Sequence, residues 1–237
     1  MALDDVTNTY SPTWFELFLE TQAHTETEVE FVRRHLPNPP YQTLLDLCCG
    51  QGRHTNLLAQ HGYQMVGIDR DPAALEKARR QASGSVVYQQ MDMRQLETLP
   101  GSFDAILSLW QSFGYFDEAT NRDILRQMSA KLKPNGRLIL DLYHRGYFEQ
   151  HQGTSQVERR GVVAAITNTM HGNRLTAELT YNHGGGDAFE WQLFTPEEIG
   201  TLGEQFGLRC VVHCAWFDET RPATAEEARM QLVLEKV

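Results

Sequence analysis

The chain has 237 residues, 41% of them hydrophobic and 22% charged, and its 21 basic and 31 acidic side chains leave a net charge of −10. Such a length suits one large domain with a full core, the composition excludes a disordered or collagen-like chain, and the acidic surplus opposes nucleic-acid binding, which requires clustered cations. No apolar run approaches the roughly 18 residues of a membrane-spanning helix, and the opening Met-Ala-Leu-Asp-Asp carries acids where a secretory leader has a basic region, so the chain reads as cytoplasmic.

Trp14, Phe15, Phe18 and Leu19, then Val29, Val32 and Leu36, recur at helical spacing, predicting two amphipathic helices within residues 1–39, closed by Pro37, Pro39 and Pro40. Thr43 to Leu47 is a short apolar strand interrupted by Asp46, followed by a glycine turn and a helix ending at Gly62. Tyr63 to Ile68 is a second strand, and Asp71-Pro72 predicts an N-cap with proline at the first helical position. Val86 to Gln90 and Phe103 to Leu109 are the third and fourth strands. Ile124, Leu125, Met128 and Leu132 mark one helical face, and Arg137 to Leu142 is the fifth strand after the turn Lys133-Pro-Asn-Gly136. This alternation predicts a parallel sheet covered on both faces through right-handed crossovers.

The pattern changes over residues 146–194. Val162 to Ile166, Arg174 to Tyr181 and Ala188 to Phe194 are separated by glycine-containing turns with no helix between them, which predicts an antiparallel β meander. It would be an insertion in an α/β core formed by residues 40–145 and 195–237. Thr195-Pro-Glu-Glu198 is a capping box, and Leu208 to Phe217 and Met230 to Val237 are two final strands. Cys48, Cys49, Cys210 and Cys214 fit no zinc-ribbon spacing and read as small buried thiols, so no metal is expected.

Ligands of an open parallel sheet bind beyond the carboxyl ends of its strands. Gly50 and Gly52 allow a tight turn and close approach of a ligand to the backbone, and the helix that follows offers free N–H groups. Nineteen residues after Gly50, Asp69 ends the second strand at the spacing of an acid that holds ribose hydroxyls. A dinucleotide fingerprint would place a third glycine where Thr55 stands, and Asp46 interrupts the first strand; both oppose NAD. A carboxylate there suits a cofactor with a cationic amino group, as in S-adenosylmethionine.

Leu45-Asp-Leu-Cys-Cys-Gly-Gln-Gly-Arg-His54, Val66-Gly-Ile-Asp69, Asp92-Met93, Phe103-Asp-Ala-Ile-Leu107 and Leu132-Lys-Pro-Asn-Gly-Arg-Leu-Ile-Leu140, in this order and spacing, resemble a class I S-adenosylmethionine-dependent methyltransferase. The resemblance covers about residues 40 to 145 and the last 43. It implies a Rossmann-like, doubly wound, seven-stranded and mostly parallel sheet whose last strand is antiparallel, with S-adenosylmethionine as cofactor. It also implies that the Gly50 to Gly52 turn lines the methionine and ribose, that Asp69 binds the ribose hydroxyls, that Asp92 and Met93 contact the adenine, and that Trp110 and Gln111 flank the cofactor. Asp46, His54 and Arg70 complete the expected cofactor set. The family usually has glycine where Cys48 stands.

The acceptor would meet residues after the fourth and fifth strands. Tyr115, Tyr143 and His144 are candidate catalytic groups, and Trp14, Tyr115 and Arg145 are candidate substrate contacts. Residues 122–174 hold nine basic and four acidic side chains, so Arg145 with Arg159 and Arg160 would favour an anionic acceptor if they converge on the pocket. The expected activity is methyl transfer to an oxygen, nitrogen or carbon nucleophile of a small molecule. A homodimer is left open, and neither nucleic acid nor membrane is an expected partner. Asn38-Pro-Pro-Tyr41 spells the motif of amino-directed nucleic-acid methyltransferases, yet it precedes the first strand instead of following the fourth. Two rival readings are a NAD-dependent oxidoreductase and a cofactor-binding interaction module without catalysis.

Overall fold

A computed structural model describes residues 10–18 and 22–237; Leu19 lies outside them. Two helices, α1 (Pro12–Phe18) and α2 (Gln22–His35), precede the alternating segment. That segment runs β1 (Thr43–Leu47), α3 (Arg53–Gln60), β2 (Gln64–Asp69), α4 (Pro72–Arg80), β3 (Val86–Gln90), a 3-10 turn over Met93–Thr98, β4 (Phe103–Ser108), α5 (Glu118–Lys131) and β5 (Leu132–Tyr143). There follow α6 (Arg145–Gln150), four strands β6 (Gly153–Arg159), β7 (Val162–His171), β8 (Arg174–Tyr181) and β9 (Gly186–Gln192), then α7 (Pro196–Glu204), β10 (Leu208–Cys214) and β11 (Arg229–Lys236).

The seven-stranded sheet has the order β10-β11-β5-β4-β1-β2-β3. Its first five strands in sequence pair in parallel. The last strand, β11, inserts between β5 and β10 and is antiparallel to both. Side chains alternate across it as a pleat demands. Leu45, Ile106, Leu138 and Leu232 point to the α5 side with Ile124 and Met128. Leu44, Ala105, Ile139 and Val233 point to the α2 and α3 side with Phe31, Val32 and Leu58. Both faces are therefore buried, and α2 is fixed on the sheet by its own apolar stripe.

The predicted punctuation is realised in the caps. Asp71 accepts from the Ala73 N–H at 2.8 Å at the start of α4, and Thr195 and Glu198 form the capping box of α7. The β insertion differs from expectation in having four strands, because β6 pairs with β7 along its whole length. A short helix, α6, precedes it. β6 is almost entirely solvent-exposed, so it lacks the apolar alternation that reveals a strand. The inner face of this second sheet packs Leu175, Leu179, Phe189 and Trp191 against Leu17 of α1 and Phe148 of α6. This contact brings α1 over the carboxyl ends of the larger sheet's strands. No helix among the described residues is long and apolar enough to cross a membrane.

Candidate functional site

A cavity of about 690 Å³ opens beyond the carboxyl ends of β1 to β4, roofed by α1 and flanked by α2. Its floor is the turn Cys48 to Gln51, where Cys48 and Gly50 both have positive φ. A Cβ built on Gly50 would meet no atom within 4 Å. The turn is pinned by Asp69, whose Oδ2 accepts from the Gly50 N–H at 2.8 Å while Oδ1 accepts from the Asp71 N–H at 2.9 Å. Burial raises the Asp69 pKa against these hydrogen bonds. Each of its oxygens keeps a second lone pair.

Of the expected cofactor residues, Asp46, Gly50, His54, Asp69, Arg70, Asp92, Met93 and Trp110 line this cavity together. Asp46, 2% exposed, accepts from the Thr55 hydroxyl at 2.5 Å; the residue at the would-be third glycine position thus serves the carboxylate. Burial raises the Asp46 pKa, opposed by the charges of His54 and Arg53 and by the Thr55 hydrogen bond. Asp92 caps the 3-10 turn through the Arg94 N–H, and the Arg94 guanidinium holds its pKa below the ordinary carboxylate value.

Gly52 and Gln111 lie outside the cavity lining. Gly52 is the N-cap of α3 with φ of 75°, and a Cβ there would stand 2.2 Å from the Tyr88 Oη and 2.8 Å from the Ala78 Cβ. Its lack of a side chain serves packing against β3 and α4, away from the cavity lining. Gln111 is buried and ties strand ends together, accepting from the Tyr143 N–H and donating to the Phe113 carbonyl at 3.1 Å.

The acceptor candidates separate in the same way. Trp14 and Tyr115 line the cavity, with Tyr10, Phe15 and Phe116 beside them. Tyr143, His144 and Arg145 do not. Tyr143 packs edge-on against Trp191, centroids 5.7 Å apart, and against Phe148. His144 caps α6, with its ring against Gly146 and its pKa lowered by burial. Arg145 ion-pairs with Glu198 at 2.6 Å and Glu149 at 3.2 Å. Arg145 opens α6, which turns its side chain toward Glu198 of α7.

Arg53 and Tyr10 add to the cavity lining, and Glu28 stands behind it. Glu28 of α2 is 5% exposed and accepts from the His54 Nε2 at 2.6 Å, from the Trp110 Nε1 at 3.0 Å and from Arg53. Burial alone would raise its pKa, but the hydrogen bonds and charges of His54 and Arg53 hold it well below the ordinary value. The Arg53 guanidinium also donates to the Thr25 hydroxyl at 2.8 Å and lies 4.9 Å from the Trp110 ring centre, and its Nη2 is buried without a hydrogen-bond partner. On the other side, the Tyr10 and Tyr115 hydroxyls are 2.7 Å apart. Beneath the floor, Asp141 is fully buried, accepts from the Trp110 backbone N–H at 2.8 Å and ion-pairs with Arg229, which holds Trp110 in its left-handed conformation.

The donor set fits a cofactor with a cationic and an anionic end on a nucleoside. An unpartnered buried guanidinium N–H calls for an anion, Asp46 offers a carboxylate to an ammonium group, and Asp69 and Asp92 offer acceptors to hydroxyl and amine donors. Among the described residues no cluster of ligating side chains could hold a metal ion.

Comparison with known proteins gives the same direction. A methyltransferase domain family model matches residues 44–136. A glycine/sarcosine N-methyltransferase of Parasynechococcus marenigrum is 34% identical over 155 residues, 63% of this chain and 54% of that protein. The putative methyltransferase YqeM of Bacillus subtilis is 32% identical over 110 residues, 44% of each chain. The chain spans about half the length, or less, of the curated relatives it matches. Among solved structures, the CcbJ methyltransferase of Streptomyces caelestis superposes over 99% of both chains with a TM-score of 0.83 at 18% identity. The strand order and the superposition give the chain the fold of S-adenosylmethionine-dependent methyltransferases, and its residues 44–136 match a methyltransferase domain.

Proposed function

We propose that this chain transfers the methyl group of S-adenosylmethionine to a nucleophile of a small molecule. The observation that carries the reading is one cavity that unites the Gly50 turn and three strand-end carboxylates with an aromatic wall under α1. The cofactor supplies a methyl group already activated on a sulfonium. The chain's task is therefore alignment and exclusion of water more than acid and base work.

Asp69 is assigned to the ribose hydroxyls through its free lone pairs, Asp92 and Met93 to the adenine, and Asp46 to the amino group. Arg53, absent from the expected set, is assigned to the carboxylate of the methionine part, with Glu28 and Thr25 fixing its guanidinium. His54 and Trp110 then act through Glu28 to hold α2 against the site. Tyr115 and Trp14 remain acceptor contacts, joined by Tyr10. The net charge of −10 supports a small molecule over nucleic acid as the acceptor, and so does the glycine/sarcosine N-methyltransferase relative.

Calorimetry with S-adenosylhomocysteine tests the assignment. Asp69→Ala is expected to weaken binding at least tenfold, since each hydrogen bond to a charged group is worth about 1.5 to 3 kcal/mol. A change under about threefold, some 0.65 kcal/mol, in a variant with native circular dichroism contradicts it.

A further inference from the structure

We propose that the methyl acceptor is an amine carried on an apolar or aromatic body that bears no carboxylate or phosphate, an inference that rests on the methyl-transfer reading above. The cavity under α1 is walled by Tyr10, Trp14, Phe15, Tyr115 and Phe116. Its basic lining residues are Arg53, His54 and Arg70, all of which follow β1 and β2, beside Asp46, Asp69, Asp71 and Asp92. The Arg94 guanidinium lies 4.8 Å from the Phe116 ring centre but is ion-paired with Asp92 and does not line the cavity. An acceptor carboxylate docked on the aromatic wall would lose its hydration with only neutral donors, the Tyr10 and Tyr115 hydroxyls and the Trp14 indole N–H, to replace it and no cation to pair with, in a field set by neighbouring carboxylates. Aromatic faces favour an apolar body and accept a positively charged amine. Arg145, the residue expected to draw an anion, is engaged by Glu198 and Glu149 outside the cavity.

The nucleophile follows from what the wall can do to a proton. A hydroxyl attacks well only when a base takes its proton, whereas a neutral amine already presents its lone pair. The polar groups of the wall are the Tyr10 and Tyr115 hydroxyls and the Trp14 indole N–H, a donor that can take no proton. Burial raises both tyrosine pKa values; the facing Tyr115, Tyr143 and Cys48 raise that of Tyr10 further, while Cys48 and Asp69 raise that of Tyr115 against the lowering hydrogen bonds of Tyr10 and Trp191. Both hydroxyls stay protonated at neutral pH and serve as hydrogen-bond partners. His54 is committed to Glu28, and His144 lies outside the cavity lining.

In the reaction, the nitrogen lone pair forms the new N–C bond as the C–S bond breaks, and the electron pair of that bond stays on sulfur. The positive charge passes from sulfur to nitrogen, which then releases its proton to water. The Tyr10 oxygen accepts an N–H hydrogen bond and thereby aims the lone pair.

The test uses the full chain loaded with S-adenosylhomocysteine and three probes of one shape: phenethylamine, phenethyl alcohol and phenylalanine. Calorimetry is expected to show phenethylamine binding at least tenfold tighter than phenylalanine. With S-adenosylmethionine, phenethylamine should be methylated at a rate that rises with pH as the neutral amine fraction grows, while phenethyl alcohol is left unchanged. Tyr10→Phe should lower kcat tenfold or more without moving the pH profile. Phenylalanine bound as tightly as phenethylamine, phenethyl alcohol methylated as fast, or a limb of the pH profile lost with Tyr10→Phe overturns the inference and leaves the methyl-transfer reading standing. A chain that binds no S-adenosylhomocysteine fails that reading and this one with it.

Discussion

Gly50 and Gly52 sit two residues apart in one turn and both have positive φ, yet a methyl group added to each meets different surroundings. At Gly50 it meets open cavity; at Gly52 it meets the Tyr88 hydroxyl and Ala78. Gly50→Ala is therefore expected to cost about 1 to 2 kcal/mol, the left-handed strain of a non-glycine residue, while Gly52→Ala adds an overpacking cost of about 1 to 3 kcal/mol. Urea denaturation of the two variants checks the order, and equal midpoints would contradict it. Arg53 has a sharper test. Arg53→Ala should weaken S-adenosylhomocysteine binding at least tenfold and leave the affinity for 5′-methylthioadenosine, which lacks the amino-acid end, within about twofold; parallel losses would show a merely structural role. Glu28, Arg53 and Tyr10 were not legible in the sequence because each is a polar residue on or beside a helix, identical in pattern to a solvent-facing one. Their role depends on α1 and α2 docking over the strand ends, which is tertiary information.

At the scale of elements, β1, β4 and β5 are stitched together at the sheet end opposite the cavity by Asp104. Its carboxylate accepts from the Thr43 N–H at 2.8 Å, the Thr43 hydroxyl at 2.7 Å and Lys133 at 2.8 Å. Burial would raise its pKa, but the Lys133 ammonium and these hydrogen bonds outweigh it and hold the pKa at about 2. A pKa depressed on folding contributes stability that is present above the unfolded value near 4 and lost as pH falls toward 2. Asp104→Asn should therefore lower stability at pH 7 by about 1 kcal/mol, the linkage discounted for solvent screening of a partly exposed pair, and flatten its pH dependence between 4 and 2, as read from urea midpoints across that window; an unchanged slope would contradict the linkage. The parallel strands were legible because each is a buried apolar run bounded by glycine, proline or an N-cap. β6 and α6 were not, since residues 145–159 carry neither period: β6 is held by backbone pairing to β7 with its side chains in water. Missing α6 is also what made His144 and Arg145 look like site residues.

Across the whole molecule, three layers converge on one cavity. The larger sheet supplies the glycine turn and the carboxylates, α2 supplies Thr25 with Glu28 behind it, and the four-stranded sheet holds α1 in place through Asp187, which accepts from the Ser11 N–H at 3.1 Å and its hydroxyl at 2.6 Å. The central claim is that this cavity is the S-adenosylmethionine site. It is tested most directly by calorimetric titration of the purified chain with S-adenosylhomocysteine, with NAD as the control ligand and Gly50→Leu as the control protein, its side chain filling the open space above the turn. The account predicts saturable one-to-one binding of S-adenosylhomocysteine, no heat from NAD, and loss of binding in Gly50→Leu with circular dichroism unchanged. Absence of binding by the wild-type chain, or undiminished binding by a folded Gly50→Leu, would contradict it.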